Sequence, residues 1–226
     1  MNDISKSMSA SNWTGILLLA ASSAVSYAAD CEFDQRIEQA TVEQIVEYFA
    51  SQDKRVVTFV GYSGAGYEDK QAMLTAAQQI LEGLAPADTI VNIGATPDGI
   101  GSVYELAVQR EFVTTGIVST QAREYDAEIS SCVSRVFYVE DEAWGGLIDG
   151  GERLSPTSEA MVAVSDLMVG IGGGDVARDE LLGAKSRGRQ VRFIAADMNH
   201  AVAIEKAAKR GLPRPTDFSG TASQAF

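Results

Sequence analysis

"DLMVGIGGGDVARDELLGAKSRGRQVRFIAA", residues 166–196, is the stretch whose reading decides the fold. An apolar run from Leu167 to Ile171 ends in three glycines, helical spacing follows from Val176 to Arg187, and a second compact run, "VRFIAA", occupies 191–196. A buried strand, a tight turn, a helix and another buried strand make a βαβ unit, because parallel strands need a crossover of about this length.

The same alternation extends towards the N-terminus. "VVTFVG" (56–61), "DTIVNIG" (88–94), "GIVST" (116–120) and "RVFYVED" (135–141) are strands by composition and length. Helices are predicted between them. Residues 41–52 carry an apolar face behind a capping box of Thr41 and Gln44, residues 69–84 place Met73, Ala77, Ile80 and Leu84 on one side, and a further helix runs over 102–111. Ser155 caps a helix with Pro156 at its first position, and Asn199 caps a closing helix that stops at Gly211. "WGGLIDGGERL" (144–154) is expected to be a glycine-rich loop.

Strands alternating with helices predict an α/β fold: a Rossmann-like parallel sheet with helices on both faces, in a single domain. The domain proper is placed at 55–212, after a signal peptide at 1–28 and a helical lead-in at 29–54, with a polar tail at 213–226. The signal rests on "GILLLAASSAV" (15–25), which has the length of a signal-peptide apolar region, and on small residues Ser26 and Ala28 before a cleavage point. Export to a periplasmic or extracellular space is therefore expected, with no membrane span left after processing. A mis-assigned start would instead leave the protein cytoplasmic.

The 226 residues are 46% hydrophobic and 22% charged, as in a globular domain. Eighteen basic residues against 31 acidic ones give a net charge of −13, which repels a nucleic-acid backbone, so no nucleic-acid partner is expected. The densest basic stretch, Lys185, Arg187, Arg189 and Arg192, suits a solvated helix end. Cys31 and Cys132 both survive signal removal, which leaves one candidate disulfide, or two separate thiols. Two cysteines and one histidine show no metal-ligand spacing, so no metal is expected.

In an open parallel sheet, ligands bind beyond the carboxyl ends of the strands. Three glycine-rich loops fall there, each before a helix whose first N–H groups suit an anion. The first offers Gly61, Ser63, Gly64 and Gly66; the second Asp98, Gly99 and Gly101; the third Gly172, Gly173, Gly174 and Asp175. None matches the phosphate-cradling G-x-x-x-x-G-K-[ST] pattern, and "GYSGAG" (61–66) does not meet G-x-G-x-x-G.

The order of "FVGYSGAG", "VNIGATPDGIGSVYELAVQ", "GIVST" and "VGIGGGDVARDELLGAKSRGRQVRFI" resembles the SLOG superfamily over roughly residues 55 to 200. That superfamily includes the lonely-guy-type phosphoribohydrolases, also known as lysine decarboxylase-like proteins. The resemblance implies a Rossmann-like fold, a nucleotide-derived ligand at the equivalent loops and a homodimer. No cofactor is implied. Hydrolytic members carry P-G-G-x-G-T-x-x-E at the third loop and release a base from a nucleoside 5′-monophosphate. Here Ile171 stands for the proline, and no threonine follows the glycines. Two alignments put either Asp179 or Glu180 at the acidic position.

Breaking an N-glycosidic bond builds positive charge on the sugar, which a carboxylate stabilises. Glu180 and Asp179 are the candidate catalytic carboxylates, with Arg178 or Arg123 as the cation for a phosphate or sugar. Each has a plain alternative. Asp179 favours a helix dipole, Asp175 is a candidate N-cap, and Asp98 lies in a Pro-Asp-Gly turn. His200 is a candidate general base or a first-turn surface residue, and Trp144 either stacks on a base or joins the core. The function reading is a nucleotide-like small-molecule binder, with hydrolysis, a non-catalytic sensor and a ligand-free structural protein as its variants.

Overall fold

The computed structural model describes residue 31 and residues 33–226; the expected signal segment lies outside the described residues. In chain order the elements are β1 (Arg36–Gln39), α1 (Val42–Ser51), β2 (Arg55–Gly61), α2 (Lys70–Glu82), β3 (Thr89–Ile93), α3 (Val103–Gln109), β4 (Val113–Ser119) and α4 (Gln121–Glu124). There follow β5 (Arg135–Val139), β6 (Leu147–Ile148), β7 (Arg153–Leu154), α5 (Pro156–Val164), β8 (Leu167–Ile171), α6 (Asp175–Ser186), β9 (Gln190–Ile194) and α7 (His200–Lys209).

Seven strands form one parallel sheet in the order β1-β5-β4-β3-β2-β8-β9. The chain moves outward from β2 through β3, β4 and β5, then resumes on the other side of β2 with β8 and β9. Strand order reverses there, which places a crevice at the carboxyl end of β2.

Period-two alternation divides the core between the two faces. Val57, Phe59, Val91 and Ile93 pack with Met73 and Ala77 of α2 and Val103, Tyr104 and Ala107 of α3. Val56, Val60 and Ile90 point the other way, against Ile45 and Phe49 of α1, Met161 of α5 and Leu181 of α6. Burial on both faces is what a parallel sheet requires, and the apolar strand runs supply it.

Local signals start the helices where the sequence placed them. The Thr41 hydroxyl accepts from the Gln44 N–H while the Gln44 side chain accepts from the Thr41 N–H, and Ser155 and Asn199 cap α5 and α7.

Three features arise from long-range partners instead. The lead-in carries an edge strand, β1, paired with β5 and held beside it by Gln35, whose amide donates to the carbonyls of Ser130 and Val133. The stretch expected as a loop at 144–154 contains the antiparallel pair β6–β7. The polar tail is packed: Thr221–Ala225 forms a 3-10 turn with Ala222 and Ala225 buried, and the Ala222 N–H donates to the Gly173 carbonyl. Cys31 and Cys132 form the disulfide, with Cα atoms 4.6 Å apart across 101 residues of chain. Among the described residues no helix is long and apolar enough to cross a membrane.

Candidate functional site

A cavity of about 450 Å³ opens at the carboxyl ends of β2, β3 and β4 and is walled by α5 and α6. That volume suits a ligand of nucleoside or nucleotide size. Its floor is apolar, formed by Phe59, Val60, Ile93, Ile117 and Met161, while Ser63, Gly64, Gly94 and Asp98 come from the first two glycine loops. Trp144 lies at its mouth, 51% exposed, with its ring centroid 5.8 Å from that of Tyr125.

Glu180 lines the cavity although only 4% of it is exposed. Residue 180 falls on the inner side of α6, one turn from Ala177 and beside Leu181, so the helix carries a carboxyl into an apolar wall. The Ser158 hydroxyl donates to Glu180 Oε1 at 2.7 Å and accepts from the Gly146 N–H at 2.7 Å. Burial pushes the Glu180 carboxyl up to about 7; the Ser158 hydrogen bond opposes the shift and the Asp179 charge adds to it. A carboxyl balanced between its two forms near neutral pH suits proton transfer.

Thr157 lines the cavity beside it. Its N–H donates to Asp141 Oδ2 at 2.9 Å, but its hydroxyl, in a residue 5% exposed, has no partner. An unpaired buried hydroxyl is costly, and this one belongs to a residue of the cavity wall. Nothing in the local sequence distinguishes Thr157 from any other helix-start threonine. Only the meeting of α5 with the β4 end and α6 places it here.

The remaining predicted residues separate into two groups. Gly61, Ser63, Gly64, Asp98 and Glu180 line the cavity; Gly66, Gly99, Gly101, Gly172, Gly173, Gly174, Asp175, Arg178 and Asp179 do not. Several of the latter glycines admit other parts of the protein. A Cβ on Gly101 would lie 1.8 Å from the Thr96 carbonyl oxygen of the same loop, and one on Gly99 (φ +59°) 2.1 Å from that of Tyr62, so Gly99 lets the second loop meet the first. Gly173, at φ +125°, makes room for Ala177 and Ala222. Around Gly64 and Gly94, by contrast, a Cβ would meet nothing within 4 Å, which leaves space on the cavity side.

Asp179 is 6% exposed and holds the loop around β6: its Oδ2 accepts from the Leu147 N–H at 3.1 Å and its Oδ1 from the Arg178 guanidinium at 2.9 Å. Arg178 also reaches Asp175, at 3.0 Å. Arg123 lies 3.8 Å over the Tyr138 ring and donates to Gln39. Both candidate cations are therefore engaged outside the cavity. Asp175 follows the N-cap, which is Gly174, and accepts from the Thr221 hydroxyl. His200 stacks on Phe218 with centroids 4.0 Å apart, 3.2 Å from Asp197, also outside the cavity lining. Among the described residues no group of three or more His, Cys, Asp or Glu could hold a metal ion.

No family model and no curated protein matches the chain. Solved structures do. The protein TM1055, a structural-genomics target, is 22% identical over 61% of this chain and 72% of its own, with a TM-score of 0.44. The molybdenum cofactor carrier protein MCP from Chlamydomonas reinhardtii is 17% identical over 70% of this chain and 97% of its own, also with a TM-score of 0.44.

Proposed function

We propose that the protein binds a nucleotide-derived small molecule in the cavity at the ends of β2, β3 and β4, and that Glu180 acts on its N-glycosidic bond. The observation that carries the reading is the pairing, in one apolar wall, of a buried carboxyl raised to about 7 with an unpartnered buried hydroxyl, Glu180 beside Thr157. A purely structural wall would have no use for either. The sequence resemblance of the three loops adds the class of ligand.

Hydrolysis then follows a simple course. Protonated Glu180 gives its proton to the departing base as the electron pair of the carbon–nitrogen bond leaves with that base. Water adds to the anomeric carbon and returns a proton to the carboxylate, so the acid is regenerated. The Ser158 hydroxyl fixes which carboxyl oxygen faces the wall, at 2.7 Å. The Cys31–Cys132 bridge supports an oxidising, extracytoplasmic site of action.

A thermal-shift screen with the common nucleobases, nucleosides and nucleotides tests the reading, since a ligand that binds only the native state raises the melting temperature. At least one member should raise it by several degrees, and release of free base should be detectable chromatographically with that member. A flat screen with the intact, oxidised protein counts against binding. A ligand bound but never cleaved removes the chemistry and keeps the pocket.

A further inference from the structure

We infer that the cavity selects the dephosphorylated ligand, a nucleoside or its free base, over the nucleoside 5′-phosphate. The inference rests on the binding proposed above and names the ligand within that class.

Charge around the cavity is of one sign. Asp98, Glu128 and Glu180 line it, and among the described residues no lysine, arginine or histidine does. A phosphate dianion placed there meets carboxylates at the mouth and finds no cation, and like charges brought together are a means of rejecting the wrong partner. The protein's net charge of −13 adds to the penalty rather than relieving it.

Backbone amides could still cradle a phosphate, but many are in use. The N–H groups of Tyr62 and Ala95 donate to the Tyr67 and Tyr104 hydroxyls, Asp98 donates to the Thr96 hydroxyl, and Ile100 donates to the Tyr62 carbonyl. The third loop is packed on one side by the C-terminal segment of the chain. Gly220 and Ala222 lie against Gly173, and the Thr221 hydroxyl donates to Asp175 at 2.8 Å.

What the cavity does offer suits an uncharged, partly aromatic ligand. The indole of Trp144 lies half-exposed in the lining, the floor is apolar, and Thr157 with Glu180 provides one hydroxyl and one carboxyl for polar edges. Thr157 is thus a specificity-determining residue, because its hydroxyl is paired only when a ligand brings the partner.

Isothermal titration of the intact, oxidised chain tests this with adenosine, guanosine, cytidine and uridine, their free bases and their 5′-monophosphates. At least one nucleoside or base should bind, and the matching monophosphate about tenfold more weakly or worse. In the double variant Asp98→Asn, Glu128→Gln that gap should close. Thr157→Val should lower affinity for the nucleoside about tenfold while raising the melting temperature of the free protein, a pair of opposite effects that a merely structural threonine would not give. A monophosphate that binds as tightly as its nucleoside overturns the inference and leaves the proposed function standing. A gap that survives in the double variant overturns the electrostatic origin of the selection. No binding in any series removes the proposed function itself.

Discussion

Glu180→Gln stabilises the protein at pH 8 by about 3 kcal/mol, while abolishing base release. The stability effect follows from proton linkage. The Glu180 carboxyl lies near 7 in the folded protein against an ordinary 4.5, so between those values the folded chain holds a proton that the unfolded chain has lost. Unfolding then becomes easier as pH rises through this window: the contribution is fully present below about 4.5 and is gone above about 7, at about 1.4 kcal/mol for each unit of the shift. Glutamine is neutral throughout and keeps an oxygen for the Ser158 hydroxyl, so its advantage should be absent at pH 4 and largest at pH 8. Asp179 is the charged neighbour in this balance, and its contribution raises Glu180 further. Denaturant melts of both proteins across pH give the difference directly, and two curves that stay parallel would show that Glu180 is not strained by ionisation. Loss of turnover with retained binding in the same variant would make the site one where stability is given up for chemistry.

Reduction of the Cys31–Cys132 bridge lowers stability by about 4 kcal/mol and the melting temperature by about 10 °C. The bridge closes a loop of 101 residues, and opening a loop of that size restores much of the freedom of the unfolded chain. It also fastens one edge of the sheet. All four residues of β1 are exposed, and the strand is held by its ladder to β5, by Gln35 and by the disulfide just before it. The double variant Cys31→Ser, Cys132→Ser should match the reduced protein. Equal melting with and without dithiothreitol would refute a stabilising role for the bridge.

How far the sequence carried the fold depended on the range of the interactions involved. Strands such as Arg55–Gly61 and Leu167–Ile171 bury both faces and so declare themselves by composition, and the starts of α1, α5 and α7 are written in caps within four residues of each other. β1 declares nothing, since "RIEQ" has no buried face and becomes a strand only because Ser134 to Tyr138 lie alongside it. The site divides in the same way. Glu180 was visible as one of two acidic neighbours, and only the fold separates it, turned to the cavity, from Asp179, turned to Leu147. The triple glycine suits a turn for a ligand, yet side chains on its first two positions would meet Ala196, Tyr62, Ala177 and Ala222, and only Gly174 faces open space. Glycine at a strand-to-helix turn signals close approach; which group approaches is a tertiary fact. Thr157 could not be found by any local pattern.

Trp144 gives the molecule an optical property. The chain has two tryptophans; Trp13 belongs to the expected signal segment, and Trp144 is half-exposed at the mouth of the cavity with Tyr125 beside it. Were that segment removed, nearly all emission excited at the red edge of the absorption band would come from the one indole, while excitation at shorter wavelength would also reach it by energy transfer from the phenol 5.8 Å away. A guest that strips water from the ring shifts its colour to the blue, so occupancy becomes readable by fluorescence, without a label and in real time.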